Sequence, residues 1–500
     1  MSSSVSSPIS VAVSGATGSA WAPVDAQPDH TVSAINALTH DILVANQGKP
    51  SRIGYHELID RLIDFQKKCE DKCELLPREH QEKFLAPFLD FLVSKKCKEA
   101  FGKIFPDKMA PPASSDRDPA EDKIYKVYRK LIPIAREALL QRDIMESGYD
   151  RDLHAFQMIV SDLFARAVVQ NTSPDEDAPP LYPLVIWTDS DTPWTYPKEI
   201  LQKLDKNMGA GVVGLPSQFR HGGLAAWGAL GHEVAGHNLL HAIPNLLEEL
   251  RDFVVSEIRK NHSKEKNIER MVSLWSNCVE ETASDILGIL ALGPSSLISM
   301  LAYFRGKREQ GALEKRASRH GNRTHPPDYL RIFMGVLVIQ QFSFLKINDL
   351  TDSLRRDIER DKPTDCFEFI KLDEKKDYLE FEPMPVEVAI KMARTVVDAI
   401  TNTKFKCLRK LKVTDLINWT QDDEEKAKGI SDSIVAFCLN PEPAPKNALS
   451  MAIYPHESDA RHVLAGALIA CSSINSPDLR IKNIFDTMKE LLALRYHTVH

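Results

Sequence analysis

The stretch Gly231-His232-Glu233-Val234-Ala235-Gly236-His237-Asn238-Leu239-Leu240-His241 sets three imidazoles and a carboxylate into what otherwise reads as apolar helix. Titratable side chains rarely occupy such a face unless something offsets their desolvation. A bound metal ion is the simplest such partner. It requires a further ligand and a substrate cleft from elsewhere in the chain.

Zinc hydrolases combine two or three neutral imidazoles, often a carboxylate, and an open position for water. A base stands beside that water. In the common H-E-x-x-H arrangement the histidines lie four apart and share a helix face. Here His232 and His237 are five apart. At about 100° per residue, five steps set the side chains roughly 140° apart on an ideal helix. Both reach one ion only if the helix is locally widened, as at a π-bulge. Gly236 is the residue expected to relieve that distortion. Glu233, next to the first histidine, is then the base. His241 opens an alternative. It lies four residues after His237, so a ligand set of His237, His241 and the more distant Glu281 needs no bulge, but it puts no glutamate directly after its first ligand.

The distant carboxylate is expected from Asn277-Cys278-Val279-Glu280-Glu281-Thr282-Ala283-Ser284-Asp285, again in a helical context. Glu280 and Glu281 both qualify, because adjacent helical residues point about 100° apart. Asp285, four residues after Glu281, shares its face and is placed to orient a ligand histidine through the free ring N–H. Glu280 then reads as a carboxylate behind the ligands.

Taken together, H-E-x-x-x-H followed by E-E-x-x-x-acid resembles the dipeptidyl peptidase III family of zinc peptidases, whose pattern is H-E-[LI]-x-G-H. Gly236-His237 keeps the Gly-His ending, and Glu281-Thr282-Ala283-Ser284-Asp285 also resembles the E-x-x-S-D of thermolysin-like gluzincins. The resemblance rests on these two motifs, between Gly231 and Asp285. It implies zinc as cofactor, with His232, His237 and Glu281 as ligands and Glu233 as general base. Asp285 becomes the carboxylate supporting a ligand, and the substrate a peptide.

Further along, His325-Pro326-Pro327-Asp328-Tyr329 offers His325 or Tyr329 as a hydrogen-bond donor to a developing oxyanion. The same residues also read as the turn that starts a helix. Tyr303 and Arg305 are lesser candidates for that donor. The apolar run Gly211 to Leu215, just before the histidine stretch, is expected to be a strand whose edge pairs with an extended peptide.

Across its 500 residues the chain is 43% hydrophobic and 27% charged, as in a soluble globular protein. The net charge of -7 and pI near 6.2 argue against a nucleic-acid partner. The eight cysteines, at 69, 73, 97, 278, 366, 407, 438 and 471, contain no CxxC pair. Free thiols in a reducing compartment, the cytoplasm, are therefore expected. Residues 1–30 read as a flexible tail without a secretory h-region. The uncharged run Ile286 to Phe304 is as long as a membrane span, but Gly293-Pro294-Ser295-Ser296 divides it into two short buried helices, so no membrane partner is expected.

Elsewhere helical periodicity dominates, as in Tyr55 to Phe65, Leu246 to Lys260 and the helix opened by Pro385. Proline-rich breaks at 106–121, 170–180 and 440–447 punctuate it. The expected fold is mainly α with a small β element (α+β), the β part resting on Leu184-Val185-Ile186-Trp187-Thr188 and Gly209 to Pro216. The expected order is a tail (1–30), a helical N-terminal region (31–170), a metal-binding catalytic region (171–350) with a helical core like that of zinc metallopeptidases, and a helical C-terminal region (351–500). Two rival readings stand beside the peptidase. One is a zinc enzyme acting on a small molecule. The other is a non-catalytic helical interaction protein whose histidines are structural.

Overall fold

The computed structural model describes residues 30–46, 75–87, 134–142, 150–170, 180–203, 206–307, 311–320, 323–342, 347–371, 379–439, 459–473 and 481–499. Within them the fold is mainly helical with small sheets. Residues 1–29 of the tail, the helix expected at Tyr55 to Phe65, the breaks at 106–121 and 440–447, residues 171–179 of the break at 170–180, and Cys69, Cys73 and Cys97 lie outside the described residues.

The largest sheet has three strands: β1 (Leu184–Thr188), β2 (Trp194–Tyr196) and β3 (Val212–Pro216). β3 lies in the middle, parallel to β1 from Leu184↔Val212 to Thr188↔Pro216 and antiparallel to β2 from Trp194↔Gly214 to Tyr196↔Val212. The strand expected to offer a free edge is therefore paired on both sides. Its five residues are all buried, and a strand without polar alternation belongs between neighbours. The outer side of β1 is covered as well. The Gln141 amide donates to Trp187 O at 2.7 Å and accepts from Trp187 N at 2.7 Å, standing in for a fourth strand. The other edge strand of the sheet is β2, which the sequence reading missed because three residues carry too little pattern.

Helices enclose this sheet. Among them, in chain order, are α1 (His30–Asn46), α2 (Asp150–Phe164), α3 (Leu224–Gly228), a π-helix (Gly231–Asn238) continuing into α4 (Leu239–Ala242), and α5 (Leu246–Asn261). Then follow α6 (Ile268–Ser276), α7 (Val279–Leu292) and α8 (Pro294–Gly306). A hairpin, β4 (Ser318–His320) and β5 (Arg323–His325), leads into α9 (Asp328–Ile339). A second hairpin, β6 (Cys366–Lys371) and β7 (Glu380–Pro385), precedes α10 (Val386–Asn402). α11 (Gln421–Leu439), α12 (Ala460–Ala470) and α13 (Ile481–Val499) follow toward the C-terminus.

One continuous apolar core runs through these elements. Trp187 of β1, Trp227 of α3 and Phe156 of α2 meet at its centre, with ring centroids 5.3 to 5.9 Å apart. The uncharged run at 286–304 folds as the end of α7 and most of α8. They are separated at Gly293, whose φ of 68° is left-handed backbone that favours glycine. No helix among the described residues is long and apolar enough to cross a membrane. Cys278, Cys438 and Cys471 are buried free thiols, and Cys366 and Cys407 are half-buried ones.

Candidate metal centre

The helix over the histidine stretch is widened. Gly231–Asn238 forms a π-helix eight residues long, and with i→i+5 bonding His232 and His237 come round to one side. A widened turn leaves a backbone carbonyl short of its usual donor. The Asn238 side chain supplies one, donating to Glu233 O at 3.1 Å and to Thr195 Oγ1 of β2 at 3.1 Å. Asn238 thus ties the widened helix to the sheet.

Gly236, inside the widened helix, has a further reason to be small. A Cβ there would stand 2.6 Å from Cα and Cβ of Ser284 on α7. A Cβ on Gly288 would stand 2.8 Å from His232 N, and one on Gly231 would meet Gly288 O at 3.1 Å. The π-helix and α7 therefore touch backbone to backbone, with three glycines making room. This contact, more than local helix geometry, brings Glu280, Glu281, Ser284 and Asp285 against the histidines.

The result is an ordered set of donors. His232 Nε2 lies 3.2 Å from Glu281 Oε2, and His237 Nε2 lies 3.5 Å from Glu281 Oε1. The two rings are nearly perpendicular, their centroids 4.8 Å apart. Each outer ring nitrogen is held from behind. His232 Nδ1 lies 2.7 Å from Asp285 Oδ1, and His237 Nδ1 lies 3.2 Å from Ser284 Oγ and 3.3 Å from Glu280 Oε1. Both Nδ1 atoms being engaged leaves both Nε2 atoms, with Glu281, facing one point. The donor atoms of His232, His237 and Glu281 all lie within 4.8 Å of one another. Two imidazole nitrogens and one carboxylate oxygen, backed by hydrogen-bonded partners, fit a zinc ion.

The electrostatics point the same way. Burial alone would lower His232, but hydrogen bonds to Asp285 and Glu281 and the charges of Asp285 and Glu233 raise its pKa to about 10. Burial would raise Glu281, yet the charges of His325 and His237 and the histidine hydrogen bonds hold it well below the usual carboxylate range. A pocket that grips a proton this firmly is one that stabilises a cation.

Sequence reasoning missed Arg331. On α9 it donates from Nε to Asp285 Oδ2 and from Nη2 to Asp285 Oδ1, both at 2.7 Å, and its guanidinium stands 4.5 Å over the Phe304 ring. Against the effect of burial, this pair holds Asp285 far below its ordinary value. The signal was present as a lone arginine in the apolar run Asp328–Ile339.

His325, on β5, points into the centre, toward Glu281: its Nε2 lies 2.9 Å from Glu281 Oε2. Its Nδ1 is buried and finds no hydrogen-bond partner among the described residues. Tyr329 faces away and packs on Phe367 and Phe333. Tyr303, on α8, is the more informative phenol. Its hydroxyl is buried without a hydrogen-bond partner among the described residues. Burial, then the charge of Glu233, pushes it above the ordinary phenol range. Arg305 is committed elsewhere, to Asp357 and Asp361. Glu233 is buried, and its charge acts on His232 and on Tyr303. His241 stands 3.1 Å from Glu280, so the alternative grouping on this side of the helix is His237, His241 and Glu280, not Glu281. No protein-family model, no curated protein and no solved structure matches the chain.

Proposed function

We propose that the chain is a zinc-dependent hydrolase, and that it is a metallopeptidase of gluzincin type. The observation that carries this reading is the convergence of His232 Nε2 and His237 Nε2 on Glu281 while both Nδ1 atoms are held from behind. A zinc ion held there would act as Lewis acid and lower the pKa of a water toward neutrality. Glu233 takes a proton from the attacking water and passes it to the leaving amine. Asp285, itself fixed by Arg331, keeps the His232 ring in the tautomer whose Nε2 faces the centre. His325 steadies Glu281.

The orphaned Tyr303 hydroxyl is the best-supplied donor for the oxyanion that forms on the substrate carbonyl, since a buried hydroxyl left unpaired costs about 1–3 kcal/mol. A peptide is favoured over a small molecule by the sheet. β2 is its edge strand, and Thr195 is hydrogen-bonded to the π-helix through Asn238, so an extended chain paired along β2 would run alongside the centre.

The test is Glu233→Gln, assayed on a peptide library with metal content measured alongside. Zinc content is expected to stay at the wild-type level while hydrolysis falls about 10²–10⁴-fold, the usual worth of a general base. Undiminished turnover removes Glu233 from the mechanism. Wild-type protein with stoichiometric zinc and no action on any peptide turns the reading to a small-molecule substrate.

A further inference from the structure

His237 has two ring edges, and the second also faces potential ligands. Glu280, in the first turn of α7, places Oε1 3.3 Å from His237 Nδ1 and 3.1 Å from His241 Nε2. The donor atoms of His237, His241 and Glu280 all lie within 4.8 Å of one another, forming a second triad. The hydrolytic reading assigns His241 no role. The two triads share one ring: Nε2 of His237 faces the first, and Nδ1 faces the second.

We propose that His237, His241 and Glu280 form a second, weaker site for a divalent transition metal, so that the chain carries two adjacent ions when metal is in excess. Two imidazole nitrogens with one carboxylate select ions such as Zn²⁺ or Co²⁺ over Mg²⁺ or Ca²⁺, which prefer all-oxygen shells. His241 and Glu280 are only half-buried, which leaves the site reachable from solvent, whereas His237 and Glu281 are fully enclosed. A neutral imidazole has one lone pair. With the first ion on Nε2, the second must displace the Nδ1 proton, which leaves to solvent, and His237 then spans the two ions through both nitrogens. That displacement makes the second ion the weaker one. The proposal takes from the hydrolase reading only the first ion's position, and it stands without any catalytic activity.

The experiment is equilibrium dialysis of metal-stripped, untagged full-length chain against Zn²⁺, and separately Co²⁺, with metal counted by mass spectrometry. Wild type is expected to bind two ions per chain, the second more weakly than the first. His241→Ala and Glu280→Gln are expected to lose only the weaker ion, and Glu281→Ala only the tighter. Glu280→Gln nearly preserves shape, and thermal melts of both variants check that the fold survives. Saturation of wild type at one ion whose binding is insensitive to His241→Ala overturns the proposal, as do two ions retained in both variants. A single ion lost on His241→Ala but kept on Glu281→Ala supports the second triad and instead removes the first, along with the hydrolase reading.

Discussion

Two buried clusters in this molecule use the same three side-chain types. At the candidate metal centre, His232 is held by Asp285, which is held by Arg331. Near the far end of α7, His462 lies 2.8 Å from Asp423, which Arg461 also grips, while Arg461 reaches Ala291 O at 3.1 Å. Both carboxylates are held far below their ordinary range. At Asp285 the charge of Arg331 leads in opposing burial, and at Asp423 the His462 hydrogen bond does.

The difference lies in the second ring nitrogen. His462 Nδ1 accepts the backbone N–H of Asp459 at 2.9 Å, closing the N-terminal cap of α12, so both its nitrogens are engaged by protein partners. His232 turns Nε2 toward Glu281 and the His237 ring. A buried His–Asp–Arg arrangement is therefore no sign of a metal in itself. What marks one is a ring edge aimed at other ligands instead of at a backbone donor.

The strongest way to break this comparison is Asp423→Asn. It is expected to cost about 3–5 kcal/mol of stability, the range for removing one partner of a buried charge pair. Urea denaturation checks this, and zinc content should stay at the wild-type level. If zinc is lost from the folded variant, the two clusters are not separate in role.

The pH dependence comes next. His232 is raised from 6.5 to about 10 in the metal-free chain, so between these values the folded protein holds a proton that an incoming ion must displace. Zinc affinity is expected to fall about tenfold per unit, hence about 100-fold from pH 9 to pH 7, and calorimetry in buffers of differing ionisation enthalpy should register the released proton. The sign for stability is opposite. Because the folded pKa is raised, His232 stabilises the metal-free fold fully below about 6.5, and that contribution disappears as pH rises through about 10.

Asp285→Asn is expected to weaken zinc binding about 10–100-fold, the usual effect of losing the carboxylate behind a ligand histidine. Competition with a chromophoric chelator measures it. The smallest effect is expected from His462→Gln. It should lose about 1 kcal/mol in thermal or urea unfolding and leave zinc affinity unchanged, since it removes hydrogen bonds and no ligand.

Much of the centre was legible in the sequence because helix geometry is periodic. Five-residue spacing demanded a widened turn for His232 and His237 to meet, and the four-residue step from Glu281 to Asp285 put both on one face. The structure brings those residues together. The division at Gly293 was readable too, from the chemistry of glycine and proline.

What escaped depends on partners distant in sequence. Nothing local says that β3 lies between two strands, or that Gly236 is small for the sake of Ser284. Arg331 pairs with Asp285 across 46 positions. His325 was expected to address substrate; its Nε2 stands 2.9 Å from Glu281 Oε2, a direction set by the β4–β5 hairpin and not by its own neighbours.

The backbone contact between the π-helix and α7 also bears on which ion the centre accepts. Where two helices are spaced by side chains, rotamer changes let the gap breathe. Here glycines set it, so ligand separation is limited by contacts that barely compress. An ion needing bonds of 2.3–2.6 Å in place of 2.0–2.1 Å would have to be met by imidazole and carboxylate torsions alone. The glycines would thus act as a size gauge for the bound ion, although none of them touches it.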